Sequence, residues 1–337
     1  MALGNVLVIR PGALGDAVLT LPALGALFAA GAERVTLLGT PASWAFLSGT
    51  QRRDFHIADF ASSQWLGLFA DGAALSDDAK RTLQGTQTAI VYLNGDTSAI
   101  QHRLLKHGVA TISVMEPPTA TPSVVASPVA RCFELNWRNL SEEHAARSLL
   151  EPLAHCCSDA SLATDALNPE RVSELGWLAH SNDSSATAME ERPDTFAVHP
   201  GSGGRRKCWA ARRFAEFTER VARDMNLRPL VFFGPADEGI RAEFEAAMSG
   251  DVVWNAIENR PLREVVALLQ SSRFFVGNDS GMSHLAALVT PVVAIFGPTD
   301  PNIWGPLGRC VKIVQAPQGD LNLLAAATVF EAAASIM

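Results

Sequence analysis

An α/β fold built as two successive Rossmann-like halves is what this sequence predicts, and three observations carry the prediction. The chain opens β-α-β, with NVLVIR, DAVLTLPALGALFAAG and VTLLG in that order. A second alternation of apolar runs and helical patterns begins after residue 195. Between the two lies WLAHSNDSSATAMEERPDT (177–195), small and polar without periodicity, which reads as a linker.

Taken in order, NVLVIR is a continuous apolar run of the kind shown by a parallel strand buried on both faces. PGALG is a loop, and the helix after it carries Asp16 in its first turn and stops at Gly31. VTLLG (35–39), AIVYLN (89–94) and TISVME (111–116) are further strands. PPTATPSVVASP reads as a surface connection, and 142–157 as one long amphipathic helix. The second half reads as strands at FAVHPG (196–201), PLVFFG (229–234), VVWNA (252–256), RFFVG and PVVAIFG. Helices around ARRFAEFTERVARD, EGIRAEFEAAM, PLREVVALLQSS and MSHLAALV alternate with them, and LLAAATVFEAAASI closes the chain.

Composition narrows the class. The 337 residues suffice for two domains, and 48% hydrophobic with 18% charged residues describes a globular protein with ample core. A net charge of −8 without a block of like charges argues against a nucleic-acid partner. MALGNVLVIR lacks the regions of a secretory signal, and no stretch approaches the ~18 apolar residues of a membrane span, so a cytoplasmic location is expected. Five cysteines without CxxC spacing fit reduced thiols.

Three polar junctions follow strands, at the carboxyl ends where such sheets bind ligands, and they are expected to face one cleft. In GNDSGMSHLAAL, Asp279, Ser280 and Gly281 precede a helix whose first N–H groups have no partner within it. That is a natural anion site, which Gly281 lets a phosphate approach. The competing reading is that Asp279 or Ser280 caps the helix. In HPGSGGRRKCW (199–209), glycines and cations suggest a phosphate loop that fails the Walker pattern. Lys207 is one of four lysines against 23 arginines, which points to a compact ammonium for a diphosphate; a solvated loop cation is the alternative. Ser202 offers a hydroxyl to phosphate, and Trp209 reads as a core anchor rather than a stacking platform. In RPGALGD, Asp16 is either a dipole-stabilised cap or a general base, and Arg10 either orients that carboxylate or meets an acidic ligand. Metal-ligand spacings (DxD, HExxH), GxSxG and GxGxxG are missing from the sequence, so no metal, serine nucleophile or dinucleotide is expected.

Together RPGALGDAVLTLPAL, HPGSGGRRKCW and GNDSGMSHLAALVTPVVAIFGPTDP resemble the signatures of the ADP-heptose:lipopolysaccharide heptosyltransferases, glycosyltransferase family 9. The resemblance spans both halves, with 45–190 only weakly matched. It implies a GT-B fold, two Rossmann-like domains with parallel sheets facing a central cleft. The implied bounds are an acceptor domain at 1–176, a linker at 177–195, a donor domain at 196–320, and a helix at 321–337 packing back toward the first domain. It implies inverting, metal-independent transfer of a heptose from ADP-heptose to a lipopolysaccharide inner-core acceptor. No cofactor is involved, and transient contact with the cytoplasmic face of the inner membrane is implied. Asp16 matches the catalytic aspartate and Lys207 the diphosphate lysine. Asp279, Ser280, Gly281, Met282 and His284 match the donor-binding block. Glu238, or Asp237 beside it, lies where the family places a ribose-contacting carboxylate. Where enterobacterial members carry two threonines, this chain has Ser202 and Gly203, one hydroxyl fewer. The same frame also suits a nucleotide-sugar epimerase or a non-catalytic nucleotide-sugar-binding protein.

Overall fold

The computed structural model describes residues 3–47, 54–115, 129–135, 140–141, 143–155, 166–168 and 194–337. They fall into two compact units, one drawn from Met1–Thr119 and Ala145–Ala179, the other from Ala120–His144 and His180–Met337.

In the first unit, β1 (Gly4–Arg10), β2 (Ala32–Gly39), β3 (Phe55–Asp59), β4 (Thr88–Tyr92) and β5 (Thr111–Met115) form a sheet ordered β3-β2-β1-β4-β5. Every neighbouring pair is parallel. The central strand is β1, and its Val6, Leu7, Val8 and Ile9 are at most 1% exposed, as a strand covered on both faces requires. The helices are α1 (Leu14–Ala29), α2 (Leu66–Phe69), α3 (Asp77–Gln84), α4 (Ser98–Lys106) and α5 (Ala145–Ser148). Gly31 ends the first of them with φ +87°, in the left-handed region that glycine enters without a Cβ clash.

The second unit holds β6 (Arg131–Glu134), β7 (Thr195–His199), β8 (Arg228–Phe233), β9 (Asn255–Glu258), β10 (Phe275–Asn278), β11 (Val292–Phe296) and β12 (Val311–Gln315). Their order is β6-β12-β11-β10-β7-β8-β9. All pairs are parallel except β6 with β12. Its helices are α6 (Ala211–Met225), α7 (Glu238–Ala247), α8 (Leu262–Gln270), α9 (Gly281–Ala287), α10 (Pro301–Trp304) and α11 (Ala326–Ala334). Aromatic side chains pack together within the core: Phe196 stacks on Phe274 at 5.4 Å between centroids and meets the edge of Phe217 at 6.4 Å.

Two readings of the sequence need correction, the helix at 142–157 and the strand at 252–256. The described residues between 120 and 144 group with the second unit. There β6 adds to β12 as the edge strand, with Glu134 opposite Lys312 as an opposite-charge cross-strand pairing. The helix expected over 142–157 is two short pieces, α5 and a 3₁₀ turn at Glu151–His155, around Pro152, which lacks the N–H a continuous helix needs. The strand expected at 252–256 is β9, starting three residues later, since Val253 is 86% exposed. The final helix packs on α6, β11 and β12 of its own unit. Most of the 177–195 linker, the PPTATPSVVASP connection and the Cys156-Cys157 pair lie outside the described residues.

Phe196 is fully buried at the centre of this aromatic cluster. Phe196→Ala should cost about 3–5 kcal/mol, read as a lowered urea midpoint with unchanged slope.

Candidate active site

Arg10 ends β1 and Asp16 is the third residue of α1, so the sharp turn between them brings the two side chains together. Arg10 Nη2 donates to Asp16 Oδ1 at 2.9 Å, and Arg10 Nε donates to Thr20 Oγ1 at 3.3 Å. The other carboxylate oxygen accepts the Ala13 N–H at 2.9 Å. Asp16 therefore does cap α1, and it keeps 35% of its side chain exposed while Arg10 keeps only 7%. Burial pushes the Arg10 guanidinium below its ordinary value, opposed by the charges of Asp16 and then Tyr92. Arg10 thus holds the Asp16 carboxylate in a part-buried ion pair. Gly12 has φ +145°, and a Cβ there would stand 2.7 Å from Asp16 Oδ2. Only glycine leaves that carboxylate where it is.

In the second unit the carboxyl ends of β10, β7 and β8 lie side by side, and each contributes part of one cluster. The loop after β7 is fastened from the β10 side by Asn278, which is fully buried. Its Nδ2 donates to the carbonyls of Pro200 and Gly201 at 2.7 and 3.2 Å, and its Oδ1 accepts the Trp209 N–H at 2.9 Å. Trp209, 1% exposed, donates its indole N–H to the Leu324 carbonyl at 3.1 Å. It anchors the loop in the core, as expected.

Lys207 is held by this frame. Its Nζ donates to Asp279 Oδ2 at 2.8 Å, with 39% of the lysine side chain exposed against 6% of the aspartate. Thr299 Oγ1 donates to the same oxygen at 2.6 Å. Lys207 is thus no freely solvated loop cation. Asp279 is buried and its carboxylate faces protein partners, so it anchors the lysine. The Ser202 hydroxyl donates to the Asp279 carbonyl at 2.7 Å. A hydroxyl has one proton, and here it fastens the loop to that carbonyl.

The capping alternative for this junction fails. Ser280 holds the N-cap position of α9 but makes no side-chain cap bond, and Asp279 turns away to Lys207 and Thr299. Ser280 Oγ is buried with no hydrogen-bond partner among the described residues. Gly281 and Met282 lead the helix and are partly exposed, whereas His284, one turn on, is 4% exposed.

The carboxylate pair after β8 separates cleanly. Asp237 is 4% exposed, its Oδ2 lying 3.1 Å from His199 Nε2 and accepting the Gly234 N–H at 2.8 Å. Glu238 is exposed at the start of α7. Of the two, Glu238 is the exposed one and Asp237 the buried one. Sequence reasoning missed Thr299, Asn278 and the His199–Asp237 pair. The GPTDP stretch was a signal for the first; the others depend on contacts across 38 to 78 positions.

Burial alone raises the Asp237 pKa, but the hydrogen bond and charge of His199 and the Gly234 N–H bring it below the ordinary 3.8. A depressed carboxylate contributes stability above its unfolded value and loses it as pH falls through the folded one. Asp237→Asn should therefore lower the urea midpoint at neutral pH. The gap from wild type should close once the pH drops below 3.8.

The family profile described as glycosyltransferase family 9 (heptosyltransferase) matches residues 126–332. Lipopolysaccharide heptosyltransferase 1 of Escherichia coli O18:K1:H7 is 32% identical over 124 residues, 36% of this chain and 37% of that protein. The enzyme of the same name from Salmonella typhimurium is 33% identical over 125 residues, covering 37% and 38%. The match thus spans well under half the length of these curated relatives. Among solved structures, E. coli heptosyltransferase WaaC with ADP superposes with TM-score 0.67 at 17% identity, covering 99% of this chain and 100% of that one. A glycosyl transferase family 9 protein from Veillonella parvula gives 0.71 at 17%, covering 100% and 98%. These likenesses establish the GT-B fold. The profile match covers more than half of the sequence, and the chain belongs to glycosyltransferase family 9, the heptosyltransferase family.

Proposed function

We propose that this protein is an inverting glycosyltransferase that moves a heptose from ADP-heptose to a lipopolysaccharide inner-core acceptor. The observation that carries this reading is the Lys207 ammonium, pinned by buried Asp279 and still 39% exposed. A fixed cation, together with the leading N–H groups of Gly281 and Met282, suits a diphosphate whose charge grows as it leaves. Family membership supports transfer chemistry, and the relatives named lipopolysaccharide heptosyltransferases support the donor and acceptor classes.

In the proposed reaction an acceptor hydroxyl oxygen attacks the anomeric carbon opposite the nucleotide. The new C–O bond forms as the bond to the diphosphate oxygen breaks, so configuration inverts. Asp16 takes the hydroxyl proton and ADP carries away the electron pair. Arg10 keeps the carboxylate aimed through its 2.9 Å bond. Glu238 binds the ribose, and Lys207 with the α9 N–H groups neutralises the departing diphosphate. No metal takes part; the sequence has no DxD, and charge neutralisation falls to these protein donors. No helix among the described residues is long and apolar enough to cross a membrane. We assign the protein to the cytoplasm, meeting its lipid-linked acceptor at the membrane face.

Incubation with ADP-heptose and a panel of lipid A-core acceptors, beside a donor-only control, tests the reaction class. Transfer only with acceptor supports the proposal, whereas sugar conversion in the donor-only tube would identify an epimerase. Asp16→Ala should reduce turnover by about 10²–10⁴-fold while ADP binding measured by calorimetry stays near wild type. Lys207→Ala should weaken ADP binding and cut turnover by about 10²–10³-fold. Chelation by EDTA should leave the transfer rate unchanged.

A further inference from the structure

The buried pair His199–Asp237 has no part in the chemistry above, yet it stands between two groups that have. His199 ends β7 and leads into the loop bearing Lys207, and Asp237 immediately precedes Glu238. The Asp237 side chain touches three separate pieces of backbone or side chain. Its Oδ2 meets His199 Nε2 at 3.1 Å and the Gly234 N–H at 2.8 Å. Its Oδ1 lies so close to Gly201 that a Cβ there would stand 2.1 Å away. The loop therefore rests directly on the carboxylate, in a contact only glycine permits.

Asp237 occupies the N-cap position of α7 but makes no cap bond with its side chain. An aspartate there ordinarily caps its own helix. This one is turned inward instead, into a site where an ionised group is costly unless paired. Asn278 grips the same loop from the β10 side through Pro200 and Gly201. The loop is thus clamped between one buried amide and one buried carboxylate.

We infer that Asp237 and His199 are positioning residues: a strut that fixes the spacing between the diphosphate subsite at Lys207 and the ribose subsite at Glu238. This rests on the donor-site reading given above. Its physical content is that ADP bridges both subsites, so it gains from their preset separation as two linked ligands gain from a matched linker. Pyrophosphate or adenosine alone touches one subsite and gains nothing from the spacing.

The test is binding of ADP, pyrophosphate and adenosine to the full chain by calorimetry or ligand-observed NMR, for wild type, Asp237→Ala and His199→Phe. Asp237→Asn, of the same shape, stands in should the alanine variant not fold. ADP affinity should fall about ten-fold or more in the variants, with pyrophosphate and adenosine within about two-fold of wild type. Unchanged ADP affinity in a folded variant would overturn the strut and leave the donor-site reading intact. A parallel fall of all three ligands would overturn it too, since general loosening does that. If wild type binds no ADP, the donor-site reading fails and the strut with it.

Discussion

The second unit is organised around the buried carboxylate of Asp279, which holds the Lys207 ammonium. Asp279 reaches Lys207 at 2.8 Å, receives the Thr299 hydroxyl at 2.6 Å on the same oxygen, and offers its carbonyl to Ser202. Two other segments of chain converge on that residue between β10 and α9: the loop after β7 and the GPTDP turn after β11. Burying an ionised aspartate is costly unless its partners are complete. The lysine cannot leave without exposing that cost, so it waits in one place. A preset cation does not have to be reorganised when a diphosphate arrives or departs.

The surrounding architecture follows from strand order. Because β7 lies between β10 and β8, its loop can be gripped from both sides, by Asn278 and by Asp237. The glycines of HPGSGG then read differently from a generic phosphate loop. Gly201 is small because a carboxylate lies against it. Gly203 and Gly204 meet nothing a Cβ would strike. In the first unit the same economy appears on a smaller scale. There Arg10, Thr20 and the Ala13 N–H fix the orientation of Asp16, and Gly12 keeps the space beside it open.

Much of this was readable from residue patterns. The central strands β1, β4, β7, β8, β10 and β11 are continuous apolar runs because both faces are covered. Their junctions stand out as sudden polarity. Edge strands were harder: β9 alternates weakly and was placed early, while β6 exists only through its pairing with β12, nearly two hundred positions later. The long helix at 142–157 was overcalled because its apolar spacing hid the effect of Pro152. Within the site, Asp16, Arg10 and Lys207 were legible by type and place. Asp279 and Ser202 were legible as candidates, but the contacts that make them anchor and fastener were not. Those roles depend on which oxygen faces which proton, and a sequence does not record that.

The most direct measurement is the ADP affinity of Asp279→Asn beside Lys207→Ala and the double variant. Were Asp279 merely a negative charge near a phosphate site, removing its charge would relieve repulsion and tighten ADP binding. If it is the anchor for Lys207, the single variant weakens ADP binding, and the double variant loses little more than Lys207→Ala alone. Tighter binding by Asp279→Asn, or losses that simply add, would contradict the account.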